Sequence, residues 1–218
     1  MSDDHDHEPK KKSSRYDPSR RKFLKGVGVA GAGAALADSL LSHETGAAVS
    51  RPNAAREPVS GSINIALDVN GQKRNANVEP RTTLLNALRN HVDPGVTGPK
   101  VVCDMGTCGA CTVIMEGKPV YSCLVLAVDA VGKKLITVEG LGSPENMNEV
   151  QKAFVERDGL MCGFCTPGFV TTISAYLKDN PSPTLEQVRE ACKGNFCRCG
   201  TYPRVFEAAL AAAKAGAS

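Results

Sequence analysis

Two runs of alternating apolar and polar residues, Ser62 to Val69 and Gln72 to Val78, flank Asn70-Gly71. Alternation on both sides of an Asn-Gly pair predicts a β-hairpin. Leu84, Leu85 and Leu88 then fall at helical spacing and predict a helix over Thr82 to Asn90. Thr112 to Met115 and Pro119 to Ser122 bracket the turn Glu116-Gly117-Lys118, and Leu135 to Val138 closes a small mixed sheet. Beyond Gly140 the period changes. Met147, Val150 and Phe154 recur at helical intervals, with Asn146 and Glu149 placed as a capping pair. Further helices are predicted over Pro167 to Lys178, from Thr184 (with Gln187 three residues on) to a stop at Gly194, and from Pro203 to about Ala213. The pattern is α+β: a sheet with one helix, then four helices whose apolar stripes form the core of a four-helix bundle.

Length and charge narrow the class. A chain of 218 residues holds one or two modest domains. The longest apolar stretch, Gly26 to Ala37, is well short of the roughly 20 residues that cross a bilayer, so no membrane span is expected. Net charge is +3, and the first 25 residues carry eight Lys or Arg against five Asp or Glu, which accounts for all of it. The remainder is neutral, which argues against a nucleic-acid footprint.

The amino terminus reads as an address. Ser19-Arg20-Arg21-Lys22-Phe23-Leu24-Lys25 runs into a weakly apolar Gly/Ala/Val segment, the layout of a basic n-region and a short h-region. The paired arginines resemble the twin-arginine export signal, which implies a periplasmic protein. Gly26, Gly28, Gly31 and Gly33 disfavour the competing reading, a stable amphipathic helix. Residues 1–50 are therefore leader and disordered linker, with Ala35-Leu36-Ala37 and Thr45-Gly46-Ala47 as cleavage candidates.

Nine cysteines in a chain without Trp are the chemical anomaly. Cys103, Cys108, Cys111 and Cys123 read C-x4-C-x2-C-x11-C, and Cys162, Cys165, Cys197 and Cys199 read C-x2-C-x31-C-x-C. Cys192 is left over as a buried packing residue. The first run has the spacing of a plant-type 2Fe-2S site rather than of paired zinc knuckles. Gly106 and Gly109 give that loop the freedom to wrap a buried anion. The second set, on spacing alone, fits either a cluster or zinc. Pro167 and Pro203 suit first helical turns and place both cysteine pairs near helix N-termini, where the macrodipole favours negative charge. No Ser-His-Asp set, phosphate loop or dinucleotide fingerprint occurs, and His5, His7, His43 and His91 receive no role.

Four strings make the reading specific: Cys103 to Cys111 followed by Thr112-Val113; Tyr121-Ser122-Cys123-Leu124; Cys162-Gly163-Phe164-Cys165-Thr166-Pro167-Gly168; and Gly194-Asn195-Phe196-Cys197-Arg198-Cys199. Over residues 62–213 the chain resembles the iron-sulfur subunit of the molybdenum hydroxylase family, which includes xanthine dehydrogenases and aldehyde oxidoreductases. The leader resembles that of the exported aldehyde dehydrogenase branch.

The resemblance implies an N-terminal β-grasp, plant-type 2Fe-2S ferredoxin domain over residues 60–140 and an all-α four-helix-bundle 2Fe-2S-binding domain over residues 141–215. It implies two 2Fe-2S clusters on this chain and no catalytic residue. Substrate, an aldehyde or an N-heterocycle, would be oxidised on a large molybdopterin-binding subunit, and electrons would leave through the two clusters to a FAD-binding subunit or a cytochrome. Cys199 matches the family cysteine that is both ligand and near neighbour of the pterin. Met161 stands where the family commonly has Gln, and a thioether lacks that amide's paired donor and acceptor. Cys199-Gly200-Thr201-Tyr202 also departs from the common C-T-G-Y. The competing reading is a stand-alone exported ferredoxin or redox sensor, and the helical domain argues against it.

Overall fold

A computed structural model describes residues 60–216 of the chain. The leader and its linker lie outside the described residues. The hairpin forms as expected: β1 (Ile63–Val69) pairs antiparallel with β2 (Gln72–Val78), with Val69 opposite Gln72. Asn70 and Gly71 both take positive φ, 54° and 75°, the requirement of a type I′ turn. Alternation then puts Leu67, Val69, Ala76 and Val78 inside.

The strands β3 (Thr112–Met115), β4 (Lys118–Tyr121) and β5 (Lys134–Ile136) complete a five-stranded sheet in the order β2-β1-β5-β3-β4. β5 runs parallel to β1 and antiparallel to β3, so the sheet is mixed. Pro119 sits on β4, an edge strand, where its missing N–H leaves no gap in the ladder. β5 stops two residues earlier than the apolar pattern suggests. Fully buried Thr137 leaves the ladder because its N–H donates to Asn70 Oδ1 (2.9 Å) and its hydroxyl to Glu139 Oε2 (2.6 Å). Glu139 Oε1 in turn accepts from Gly98 N–H at 2.6 Å, so the segment leaving the sheet is tied to the strand turn and to the approach of the first cysteine loop.

The predicted helix over Thr82 to Asn90 is only partly regular. α1 (Leu84–Asn86) is one turn, capped by the Thr83 hydroxyl, and then opens into a wider turn over Ala87–His91 closed by Val92 N–H on Ala87 O. The cause is that its apolar residues serve two faces. Leu84, Ala87 and Leu88 join the core under the sheet, while Leu85 packs with Cys111 and Cys123.

Four helices follow: α2 (Glu149–Glu156), α3 (Thr166–Asp179), α4 (Leu185–Ala191) and α5 (Tyr202–Gly216). α2 is capped by Asn148 with Gln151, not by Asn146 with Glu149. Asn146 is already engaged in a turn in which its N–H meets Ser143 O. α4 carries the expected Thr184–Gln187 box but ends at Ala191, so Gly194 is not its stop signal. A second core lies among these helices, with Phe154, Phe169, Ile173, Val188 and Val205 and the small stripe Ala208, Ala209 and Ala212 of α5. Each fully buried large side chain contributes about 1.5–3 kcal/mol, and these residues form a cluster distinct from the one under the sheet. No helix among the described residues is long and apolar enough to cross a membrane.

Candidate metal centres

The first cysteine set is assembled by one loop and the turn after β4. Between Cys103 and Cys111 the backbone takes positive φ at Asp104 (52°), Gly106 (74°) and Gly109 (68°). At Gly106 a Cβ would press on the Leu124 side chain, and at Gly109 it would lie 2.6 Å from the backbone Gly194 O, so only glycine fits at Gly109. The Ser122 hydroxyl donates to Cys111 O at 2.7 Å and the Thr112 hydroxyl to Gly109 O at 2.6 Å, which pins the loop against the strand end carrying Cys123. Cys108, Cys111 and Cys123 are buried, and Cys103 is half-buried.

The thiols resolve into pairs. Cys111 Sγ and Cys123 Sγ are 3.4 Å apart, and Cys103 has Cys108 as its thiol hydrogen-bonding neighbour. Burial, then the hydrogen bond with Cys111, pushes the Cys123 thiol up to about 11. Burial acts in the same direction on Cys103, but hydrogen bonds from Thr107, Met105 and Cys108 outweigh it and bring that thiol down to about 6. Thr107 N–H itself donates to Cys103 Sγ at 3.4 Å. Tyr121, packed against the set, has its hydroxyl pKa raised by burial and by the neighbouring thiols.

The second set joins distant segments. Cys165 occupies the cap position of α3, with Pro167 in the first turn as expected, while Cys197 and Cys199 lie in the turn that leads into α5. Cys165 has Cys197 as a neighbouring thiol, and Cys199 has Cys162. Burial and the Cys197 contact push Cys165 up to about 12. Cys197 is also raised by burial, yet hydrogen bonds led by the Thr201 hydroxyl bring it down to about 7. Its N–H donates to Tyr202 Oη at 2.8 Å, and the Tyr202 ring stands edge-on to Phe169 with centroids 6.0 Å apart, so the helical core fixes the cysteine turn.

Pairing bears on the metal. Two thiolates on one tetrahedral metal, with bonds of about 2.3 Å, stand about 3.8 Å apart, and one zinc would hold all four of a set at that spacing. Four thiols gathered in each set match the ligand demand of a 2Fe-2S cluster, which four cysteine thiolates would hold. A disulfide needs sulfurs about 2.05 Å apart, and all nine cysteines are free thiols. Cys192 belongs to neither set. It is buried in the helical core, and burial alone pushes its thiol up to about 12, the behaviour of an inert packing residue.

Residues that spacing did not single out bring the two sets together. Phe196 N–H donates to Cys108 O at 2.9 Å, Asn195 Nδ2 donates to Gly109 O at 3.3 Å, and Tyr121 Oη donates to Gly194 O at 3.1 Å. Gly168 on α3 lies so close to Gly109 O that a Cβ would clash, and at Gly194 a Cβ would strike the Tyr121 hydroxyl. The only signal for this joint in the sequence is Gly194-Asn195 directly ahead of Phe196-Cys197. Each set also carries an exposed apolar rim: Val101, Val102, Met105 and Leu124 at the first, and Leu160, Met161, Phe164 and Phe196 at the second. Met161 is 69% exposed.

Residues 67–135 match a 2Fe-2S iron-sulfur cluster binding domain, residues 137–210 a second 2Fe-2S binding domain, and residues 17–37 a twin-arginine translocation pathway signal sequence. The chain is therefore exported to the periplasm by the twin-arginine route and has two 2Fe-2S-binding domains. It is 45% identical to the nicotine 6-hydroxylase small subunit of Paenarthrobacter nicotinovorans, over 69% of this chain and 90% of that one. It is 38% identical to the aldehyde oxidoreductase iron-sulfur-binding subunit PaoA of Escherichia coli K12, over 71% and 73%. Among solved structures, quinoline 2-oxidoreductase from Pseudomonas putida 86 superposes with a TM-score of 0.68 at 42% identity, covering 72% of this chain and 98% of that chain. Paired cysteine sets, two 2Fe-2S-binding domains and relatives of this identity and coverage agree: the chain belongs to the iron-sulfur small subunits of the molybdenum hydroxylases.

Proposed function

We propose that Cys103, Cys108, Cys111 and Cys123 hold one 2Fe-2S cluster and Cys162, Cys165, Cys197 and Cys199 the other. The chain is the electron-transfer subunit of a molybdenum-dependent hydroxylase that oxidises an aldehyde or an N-heterocycle. The observation that carries this reading is that the fold gathers the four thiols of each set as neighbours, Cys111 and Cys123 at 3.4 Å, inside one of the two 2Fe-2S-binding domains. In this account residues 60–140 form a β-grasp ferredoxin domain, residues 141–215 a four-helix bundle, and residues 1–50 the leader and linker.

A 2Fe-2S cluster, when bound, accepts and releases one electron at a time, and no residue of this chain does substrate chemistry. What the chain supplies is position and environment. The thiol pairs hold the metals, and Gly106 N–H and Thr107 N–H point at sulfurs of the first set. The Phe196 N–H to Cys108 O hydrogen bond makes a short path of covalent bonds and one hydrogen bond from the ligand Cys197 to the ligand Cys108. Cys199 and exposed Met161 lie against the molybdopterin of a large partner subunit, so the rim of Leu160, Met161, Phe164 and Phe196 is covered in the complex. The rim around Cys103 and Leu124 then faces the acceptor, a FAD-binding subunit or a cytochrome, and electrons enter at the second set and leave from the first.

Iron content and EPR test the assignment. About four irons per chain and two distinct reduced-state signals are expected. Cys111→Ala removes one signal and Cys165→Ala the other. Zinc in place of iron, or the same signal lost in both variants, overturns it.

A further inference from the structure

Both cysteine sets contain the same short element. Cys103-Asp104-Met105-Gly106-Thr107 and Cys197-Arg198-Cys199-Gly200-Thr201 each read Cys-x-x-Gly-Thr, and in each the glycine takes positive φ, 74° at Gly106 and 78° at Gly200. That reversal turns the threonine back on the cysteine four residues earlier. Thr107 meets Cys103 through its N–H at 3.4 Å and through its side chain. The Thr201 hydroxyl lies 3.1 Å from Cys197 Sγ. The two elements differ in their water. Thr107 is exposed, whereas Thr201 is only 7% exposed and Cys197 4%.

A thiolate ligated to iron has no proton, so across the Thr201–Cys197 contact the hydroxyl must be the donor. A hydrogen bond donated to a ligand sulfur is stronger when the cluster carries one more negative charge. It therefore favours the reduced state and raises the reduction potential. The contribution is larger where no water can replace a missing donor.

We propose that Thr201 is a positioning and tuning residue that sets the reduction potential of the second cluster through its hydroxyl, and that Thr107 plays the weaker, water-exposed counterpart at the first. This rests on the ligand assignment above. Thr201 holds the second cluster at a potential at which it accepts an electron from the catalytic subunit. Its loss makes that cluster harder to reduce without removing a ligand or a metal.

The test is an EPR-monitored redox titration of the full chain carrying both clusters, with dithionite as the source of the single electron each cluster takes. Thr201→Val should disfavour reduction of one cluster by about tenfold, a shift of about 59 mV to more negative potential for a one-electron couple, with the other cluster unmoved. Thr201→Ser, which keeps the hydroxyl, should restore the wild-type value. Thr107→Val should shift the other cluster in the same direction by no more than about threefold, since water reaches that sulfur. Should the valine variant fail to load, Thr201→Ala gives the same reading with less steric change. Two intact signals with both potentials unchanged in Thr201→Val or Thr201→Ala overturn the proposal, and so does an equal shift in Thr201→Ser. A wild-type chain with one signal or with zinc instead overturns the ligand assignment, a failure of a different kind.

Discussion

The two cysteine sets each bring four thiols together, and they do so by opposite routes. The first is almost local: three of its cysteines sit in a nine-residue loop, and the fourth follows β4. Its geometry comes from backbone conformation, through the positive φ of Asp104, Gly106 and Gly109. The second is built from segments more than 30 residues apart, and packing sets its geometry, through Phe169, Tyr202 and the α3 and α5 termini. Each site should therefore fail first when the residues packed against it are damaged: the small cluster beneath the first set, the helical core around the second.

The largest expected effect follows directly. Phe169 is fully buried among the helices, and Phe169→Ala should cost about 3–5 kcal/mol of stability in that half. Denaturant titration followed by EPR should show the second signal lost well before the first. Leu85→Ala, beneath Cys111 and Cys123, should cost about 2–5 kcal/mol and reverse that order. Simultaneous loss of both signals in either variant would show that the two cores unfold as one.

The joint between the sets offers a middle-sized effect. At Gly194 an added Cβ collides with the Tyr121 hydroxyl, so Gly194→Ala should destabilise by about 1–3 kcal/mol. Removing that hydroxyl in Tyr121→Phe costs about 0.5–1.5 kcal/mol alone through the lost bond to Gly194 O, and in the double variant it should recover most of the Gly194→Ala penalty. Additive losses would mean that the clash is not with Tyr121. Gly168→Ala sets two effects against each other, a helix-propensity gain of about 1 kcal/mol and overpacking of about 1–3 kcal/mol. Overpacking wins because the obstacle is the Gly109 carbonyl, which is backbone and cannot rotate away.

The smallest effect belongs to the ninth cysteine. Cys192→Ala removes one buried sulfur from the helical core and should cost about 1 kcal/mol, with iron content and both EPR signals unchanged.

How far the sequence could be read follows the same contrast. The strand hairpin and the Thr184–Gln187 cap were legible because each is settled within a few residues. The interrupted turn after Asn86 was not, because its leucines serve two cores that only the fold defines. The joint was hidden for the same reason: Asn195 meets Gly109 across 86 positions, and Tyr121 meets Gly194 across 73. The Asn146–Glu149 cap was misplaced by two residues because a preceding turn had already taken Asn146.

The central claim is that each set holds two metals on two thiol pairs rather than one metal on four thiols. X-ray absorption at the iron edge of the full chain tests it most directly. Every iron should show a shell of four sulfur neighbours and one iron neighbour. A sulfur shell with no iron neighbour, or zinc where iron is expected, would contradict it.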